Sequence, residues 1–238
     1  MKLIEQIKTL IDLGPFDSSI QTKNQNLLDL FKLQLAHHIE SCAPYKRWYI
    51  KSGFKSINEI KSLEEVPFVP SALFKHLDLK SDCQTSKKIQ SSGTTSHLKS
   101  KIFLDSNTSL NQTKSLTKIL RSFLGKTKKS FYVVDVEPKN MLNNSDTIAA
   151  RFAGMSGYLL AAKSTTYLLE ESENRDIVFN KHALNQLVEA SNNEQIVIIG
   201  YTYMIWQFLL ERADVGMPLK LGRNTQLIHF GGWKKLSD

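Results

Sequence analysis

Apolar side chains recur at helical spacing through the first part of this chain. The N-terminal segment places its apolar residues on one helical face, which predicts a helix that Gly14-Pro15 ends. A second helix is predicted over residues 26–40, and Pro44 closes it. A short helix is predicted at residues 56–60, and the prolines beyond it favour an extended path. These patterns together predict a mainly helical region.

Farther along the chain, short apolar runs of strand type alternate with helical patterns. Asp105 or Ser106 would cap the first of these later helices, and Gly125 would stop it. Such alternation is typical of an α/β protein whose sheet is at least partly parallel. We therefore expect a helical region 1–80 and an α/β region 81–238. The strands are predicted over 101–104, 130–136, 194–200 and 225–230, and the helices around 110–123, 146–152, 181–190 and 203–212.

One predicted strand ends in a glycine and another is followed directly by one, and ligands of α/β sheets bind where strands end at their carboxyl edge. Gly200 is followed by Tyr201 and Thr202, which are placed to line a pocket for an acid. An ordinary tight turn with core aromatic side chains accounts for the same string equally well. The sequence leaves both interpretations open.

The second glycine end is Gly231-Gly232, which Trp233 and Lys234 follow. Because glycines lack a Cβ atom, a flat base or a ribose could approach this backbone closely. Trp233 could pack against such a ligand, and Lys234 could pair with a phosphate or a carboxylate. The alternative is a strand-ending turn with a core tryptophan and a solvated lysine.

A cluster of hydroxyl side chains surrounds one glycine in the string Ser91, Ser92, Gly93, Thr94, Thr95 and Ser96. The glycine permits unusual dihedral angles, so successive backbone N–H groups can converge on an anion, and the hydroxyls add hydrogen bonds. Lys99 could supply a positive charge to the same anion. A solvated Ser/Thr turn is the alternative. The string is not a Walker A loop, which requires GxxxxGK[ST].

Composition limits the functional classes without selecting one. The 238 residues carry a net charge of +8, but no basic run of about five to eight residues indicates a nucleic-acid patch. No apolar run approaches the roughly 20 residues of a membrane span, and the N-terminus lacks a secretory signal pattern. Cys42 and Cys83 fit neither disulfide nor zinc spacing, so no metal site is expected. We expect a soluble, cytoplasmic protein.

The hydroxyl-rich string resembles the phosphate-binding loop of the adenylate-forming superfamily. Ser91 to Thr95 match that loop in order and Lys99 falls on its lysine, whereas Ser96 and Leu98 depart from its second glycine and its proline. Within the superfamily, the chain is similar to the acyl-protein synthetase (LuxE) family, with the phenylacetate–CoA ligases as nearest cousins. Four further segments carry this resemblance in the expected order, namely 44–49, 66–75, 150–158 and 229–234.

The resemblance implies both a fold and a reaction. The chain would be the large N-terminal domain of the adenylate-forming fold, an α/β domain with a mixed sheet flanked by helices. ATP and Mg²⁺ would be the cofactors, with the loop 91–96 and Lys99 on the phosphates and residues 231–234 on the adenine side. A carboxylic acid, in this family a long-chain fatty acid, would become an acyl-adenylate. The acyl group would then pass to a protein cysteine and to a partner acyl reductase that uses NADPH.

Family members extend beyond the position of Asp238, into a part that holds the catalytic lysine and the acyl-accepting cysteine. The resemblance therefore implies that the C-terminal part is missing, and that nucleotide binding is the activity to expect of this chain. Two alternatives stay open. One is a related adenylating ligase that joins a small or aryl acid to CoA or an amine, in polysaccharide or natural-product biosynthesis. The other is a non-catalytic remnant or a basic binding module, which salt-sensitive retention on DNA or RNA would reveal.

Overall fold

The computed structural model describes residues 2–82, 84, 87–90, 99–138, 154–211 and 219–233. The chain divides into two compact units, Met1–Ser122 and Phe123–Asp238. The described residues among the first 80 form helices and turns. No helix among the described residues is long and apolar enough to cross a membrane.

The N-terminal unit is built mainly from helices. Their bounds are Lys2–Asp12, Ile20–Ser41, Ala43–Lys51, Leu73–His76 and Ser106–Leu124, with 3-10 turns at Ile57–Glu59 and Leu63–Glu65. The second helix begins six residues earlier than predicted because the Ser19 hydroxyl accepts a hydrogen bond from the Thr22 amide at 3.2 Å. Pro44 does not only close that helix. It lies in the first turn of the next helix, where the backbone N–H that proline lacks would have no partner within the helix.

The strand at 101–104 is confirmed and pairs with a strand that the sequence did not predict. Lys87–Gln90 (β1) runs antiparallel to Lys101–Leu104 (β2), with Lys87 opposite Leu104. Asp105 caps the helix that follows, because its carboxylate accepts a hydrogen bond from the Thr108 amide at 2.6 Å. The predicted phosphate loop falls between β1 and β2 in the chain, and residues 91–98 lie outside the described residues.

The C-terminal unit contains a five-stranded mixed sheet. Its strands are Ser130–Val136 (β3), Ser164–Glu171 (β4), Ile177–Phe179 (β5), Ile196–Tyr201 (β6) and Gln226–Phe230 (β7). Their order across the sheet is β5-β4-β3-β6-β7, and β5 alone is antiparallel to its neighbour. The predicted strands that correspond to β3, β6 and β7 are confirmed. The sequence did not predict β4 or β5, because the apolar residues of β4 lie between polar ends of Ser, Thr and Glu.

Helices cover both faces of this sheet, because successive side chains of a strand point to opposite sides. Tyr132, Val134 and Val136 of β3 belong to the apolar cluster that contains Leu187. That leucine lies in the helix Lys181–Asn193, which Asn180 caps by accepting from the Ala183 amide at 2.9 Å. Phe131 and Val133 of β3 pack in a second cluster with residues of the helical stretch 154–159. The predicted helix 146–152 lies outside the described residues.

Candidate functional site

The strand order of the C-terminal sheet reverses between β3 and β6. The chain leaves β3 toward β4 on one side, and it leaves β6 toward β7 on the other side. All four of these strands are parallel, so their carboxyl ends lie at one edge, at Val136, Glu171, Tyr201 and Phe230. In open α/β sheets the crevice beside such a reversal is the usual ligand site.

Thr202 joins the two glycine-containing ends that the sequence singled out. Its hydroxyl, on a side chain that is almost fully buried, lies 3.0 Å from the Gly231 carbonyl oxygen and 3.2 Å from that of Phe230. The His229 Nδ1 atom lies 3.1 Å from the same hydroxyl oxygen. Because the two carbonyl oxygens share its single hydrogen, we expect the imidazole to donate from Nδ1. The start of the helix after β6 thereby holds the turn after β7.

Gly231 shapes that turn. Its φ of +80° is in the left-handed region, which a residue with a Cβ atom adopts only under strain. A Cβ atom at this position would also lie 3.0 Å from Cδ1 of Tyr201, so the tyrosine ring already fills the space beside the glycine. Gly231, Gly232 and Trp233 are all exposed. The turn therefore offers open backbone at the carboxyl edge of the sheet.

Gly200 is the last residue but one of β6, not its end. The strand β6 runs one residue past it, and Gly200 is buried beside β3, where an added Cβ would lie 3.0 Å from the Val134 Cβ. Its small size serves the packing of β6 on β3. Tyr201 and Thr202, rather than Gly200, carry the side chains that reach the turn at Gly231.

Three aromatic rings pack beneath this turn. The rings of Tyr158 and Phe230 stack with centroids 4.9 Å apart and an interplanar angle of 3°, and Tyr201 meets Phe230 edge-on at 4.6 Å. A Cβ atom at Gly154 would lie 2.5 Å from the Tyr201 hydroxyl oxygen, so a glycine is what admits that hydroxyl. The rings give the turn a rigid apolar base.

Two tryptophans meet beside the same turn, and the sequence drew attention only to one of them. The rings of Trp206 and Trp233 lie edge-on with centroids 5.5 Å apart, and each indole keeps a substantial exposed surface. The indole N–H of Trp206 donates to the Glu211 carboxylate at 2.7 Å. The sequence offered one sign of this residue, because Trp206 comes soon after the strand β6. Only the fold, however, brings Trp206 into contact with Trp233.

The carboxyl end of β3 places negative charge at this edge of the sheet. Asp135 is buried, and its carboxylate accepts a hydrogen bond from the Val136 amide at 2.9 Å. Burial raises the pKa of Tyr167 on the adjacent strand, and the negative charges of Glu137 and Asp135 raise it further. The sequence did not single out Asp135, because a lone aspartate in an apolar run carries no motif.

The predicted site residues fall into three groups. Residues 200–202 and 231–233 lie at the ends of the adjacent strands β6 and β7 in the C-terminal unit. Lys99 is exposed and belongs to the N-terminal unit. The loop residues 91–96 and Lys234 lie outside the described residues. Within the part of the chain that the structure describes, no group of three or more His, Cys, Asp or Glu side chains could hold a metal ion.

Cys42, by contrast, is a core residue of the N-terminal unit. It links the helices Ile20–Ser41 and Ala43–Lys51 and is almost fully buried, in an apolar cluster that contains Tyr45 and Tyr49. A buried thiol in such surroundings is a structural group rather than a reactive one.

A comparison with known families gives a match over nearly the whole chain. The family described as "Acyl-protein synthetase, LuxE" matches residues 3–238. The match includes both compact units, and with them the turn after β7 and the segment of the predicted phosphate loop. No curated protein matches the chain.

Proposed function

Because the chain belongs to the LuxE family of acyl-protein synthetases, we propose that it binds ATP and activates a long-chain fatty acid as acyl-adenylate. The family is one of ligases. The observation that carries the proposal is the family match over residues 3–238, and the exposed glycine turn at the carboxyl ends of the parallel strands supports it. We also propose that the sheet belongs to the N-terminal domain of an adenylate-forming enzyme.

In the proposed reaction a carboxylate oxygen attacks the α-phosphorus of ATP. A new bond forms between that oxygen and the phosphorus, and the bond to the bridging oxygen breaks, so that pyrophosphate leaves. The protein has to stabilise the charge on the phosphate oxygens during this exchange. We assign this task to the hydroxyl-rich loop 91–96 together with Lys99. Mg²⁺ would be held mainly by the phosphates, as is usual for this ion.

We assign the nucleoside end of ATP to the turn after β7. The exposed backbone of Gly231-Gly232 would let the ribose or the base approach closely, and Trp233 would contact the base. Thr202 would keep this backbone in place through its bond to the Gly231 carbonyl. Tyr201 would line the neighbouring part of the acid pocket, where its ring contacts Phe230.

The acceptor and the partner follow from the family in the same way. We propose that the acyl group leaves AMP for a protein thiol, with an NADPH-dependent acyl reductase as the protein that receives it next. Cys42 is not the proposed thiol, because it is buried in the core of the N-terminal unit.

Binding of stable acyl-adenylate mimics tests the activated intermediate without requiring turnover. We expect calorimetry to show that a dodecanoyl sulfamoyl-adenosine binds the chain more tightly than ATP, and more tightly than the benzoyl mimic. A preference for the benzoyl mimic would instead favour a ligase for aryl acids. If neither mimic nor ATP binds while the chain is retained on DNA at low salt, the basic binding module is the better interpretation.

The phosphate loop has its own test. Replacing Thr94 and Thr95 together by Ala is expected to weaken ATP binding about tenfold or more, because two hydroxyl donors to the phosphates are lost. The matched control is Thr108→Ala together with Thr113→Ala, which removes two hydroxyls from the helix Ser106–Leu124. Equal ATP affinity in the loop variant and in the control would contradict the assignment of the loop.

A further inference from the structure

Trp206 and Trp233 form an exposed aromatic pair beside the glycine turn of the C-terminal unit. The exposed fraction is 38% for Trp206 and 53% for Trp233, although tryptophans are usually well buried. Their edge-on contact at 5.5 Å fixes one ring against the other. Exposed aromatic surface of this kind, held in place at the carboxyl ends of parallel strands, is typical of a ligand contact.

A widened helical turn holds Trp206 in this position. The helix Thr202–Ile205 continues as one π-helical turn, Trp206–Leu210, in which the Glu211 amide donates to the Trp206 carbonyl. The same turn brings the Glu211 carboxylate to the Trp206 indole N–H at 2.7 Å. Glu211 therefore contacts Trp206 through both its backbone and its side chain. Single π-helical turns are rare and occur often at functional sites.

The chemistry of this pair fits a heterocyclic base better than the other parts of the proposed substrates. Indole rings stack well on flat π systems, and stacking contributes substantially to the binding of a base. The Glu211 carboxylate adds negative charge beside the pair, which disfavours a phosphate or the carboxylate end of an acid. A neutral base meets no such repulsion. A carboxylate can also accept a hydrogen bond from an amino group of a purine.

We propose that Trp206 is a specificity-determining residue that contacts the purine base of the nucleotide together with Trp233, and that Glu211 is the positioning residue for Trp206. The proposal rests on the nucleotide-binding function proposed above. It adds two residues to the nucleotide site, Trp206 and Glu211, that no motif of the sequence assigns.

The test compares ATP with tripolyphosphate, which has the phosphates without the base. In calorimetric titrations, Trp206→Leu is expected to lower the affinity for ATP about tenfold while leaving the affinity for tripolyphosphate unchanged. Glu211→Ala should give a smaller loss of the same kind, whereas Glu211→Gln should retain most of the affinity because an amide oxygen still accepts from the indole. Trp48→Leu, in the N-terminal unit, is the matched control for loss of a tryptophan.

Three outcomes would overturn the proposal. An unchanged ATP affinity in folded Trp206→Leu would contradict the base contact alone and leave the nucleotide-binding function standing. An equal loss for ATP and tripolyphosphate would indicate a general structural effect. Failure of the unsubstituted chain to bind ATP would overturn both proposals. If Trp206→Leu does not fold, as judged by circular dichroism, Glu211→Ala takes its place: a loss of affinity for ATP alone supports the proposal, and no loss, or an equal loss for ATP and tripolyphosphate, overturns it.

Discussion

The hydroxyl of Thr202 lies 3.0 Å from the backbone carbonyl oxygen of Gly231, across the ends of two parallel strands. Through this contact the residue after β6 holds the turn after β7, although 29 positions separate the two in the chain. The glycine turn is thus fixed by the first residue of the helix after the neighbouring strand, rather than by its own residues alone.

Removing the Thr202 hydroxyl should release this turn. Thr202→Val keeps the shape of the buried side chain but removes the hydrogen to two carbonyl oxygens, so we expect the free energy of unfolding to fall by about 1–3 kcal/mol. Urea unfolding measures this loss, and calorimetry should show weaker ATP binding. Thr202→Ser, which keeps the hydroxyl, is the control. Equal stability of the Val variant and the parent chain would show that the contact contributes little.

A side chain at Gly231 should be less well tolerated than at another glycine of similar backbone geometry. Gly231 and Gly125 have φ values of +80° and +84°, but only at Gly231 would the new Cβ press on a ring, that of Tyr201. We expect Gly125→Ala to cost about 1–2 kcal/mol from backbone strain, and Gly231→Ala to cost more. Urea unfolding of the two variants gives the comparison. Equal losses would mean that the tyrosine ring moves away freely.

The contact between Gly154 and Tyr201 should appear as a coupling in a double-mutant cycle. Gly154→Ala would place a methyl group 2.5 Å from the Tyr201 hydroxyl oxygen, which must then shift. Tyr201→Phe removes that oxygen, so Gly154→Ala should destabilise the Tyr201→Phe variant less than it destabilises the parent chain. We expect a coupling free energy of about 0.5–3 kcal/mol from unfolding experiments. Strict additivity of the two substitutions would contradict the contact.

The N-terminal unit should lose stability at alkaline pH through Tyr45. Burial raises the pKa of Tyr45 to about 12, and Tyr49 and Cys42 add to the shift. An unfolded tyrosine ionises near pH 10, so only the unfolded state loses this proton between about pH 10 and 12. The stabilising contribution is therefore complete below pH 10 and falls as the pH rises through this window.

Tyr45→Phe should make the unfolding free energy less dependent on pH in that window. In folded Tyr45→Phe, the phenolate absorbance should also lack the component that titrates near pH 12 in the parent chain. Tyr158→Phe, which removes a phenol from the C-terminal unit, is the matched control and should leave that component in place. Ionisation of Tyr45 near pH 10 in the folded chain would contradict its burial.

Much of the secondary structure could be predicted from the chain because it depends on local patterns. The apolar run of β6 and the capped helix after Asp105 are examples, and both are found where they were expected. Where the prediction failed, the pattern was weak. β4 carries polar residues at both ends, and the helix Ala43–Lys51 has in its first turn a proline that was interpreted as a helix end.

The candidate site likewise has a part that the sequence predicts and a part that it does not. The sequence alone determined which strings could carry chemistry, namely the loop 91–96 and the glycine turn at Gly231, because these depend on residue type and order. Only the tertiary structure decided that Thr202 and Tyr201 hold that turn, that Gly200 is a packing residue, and that Trp206 meets Trp233. The reason is physical: these contacts join residues far apart in the chain, and the parallel register of β6 and β7 sets which of them meet.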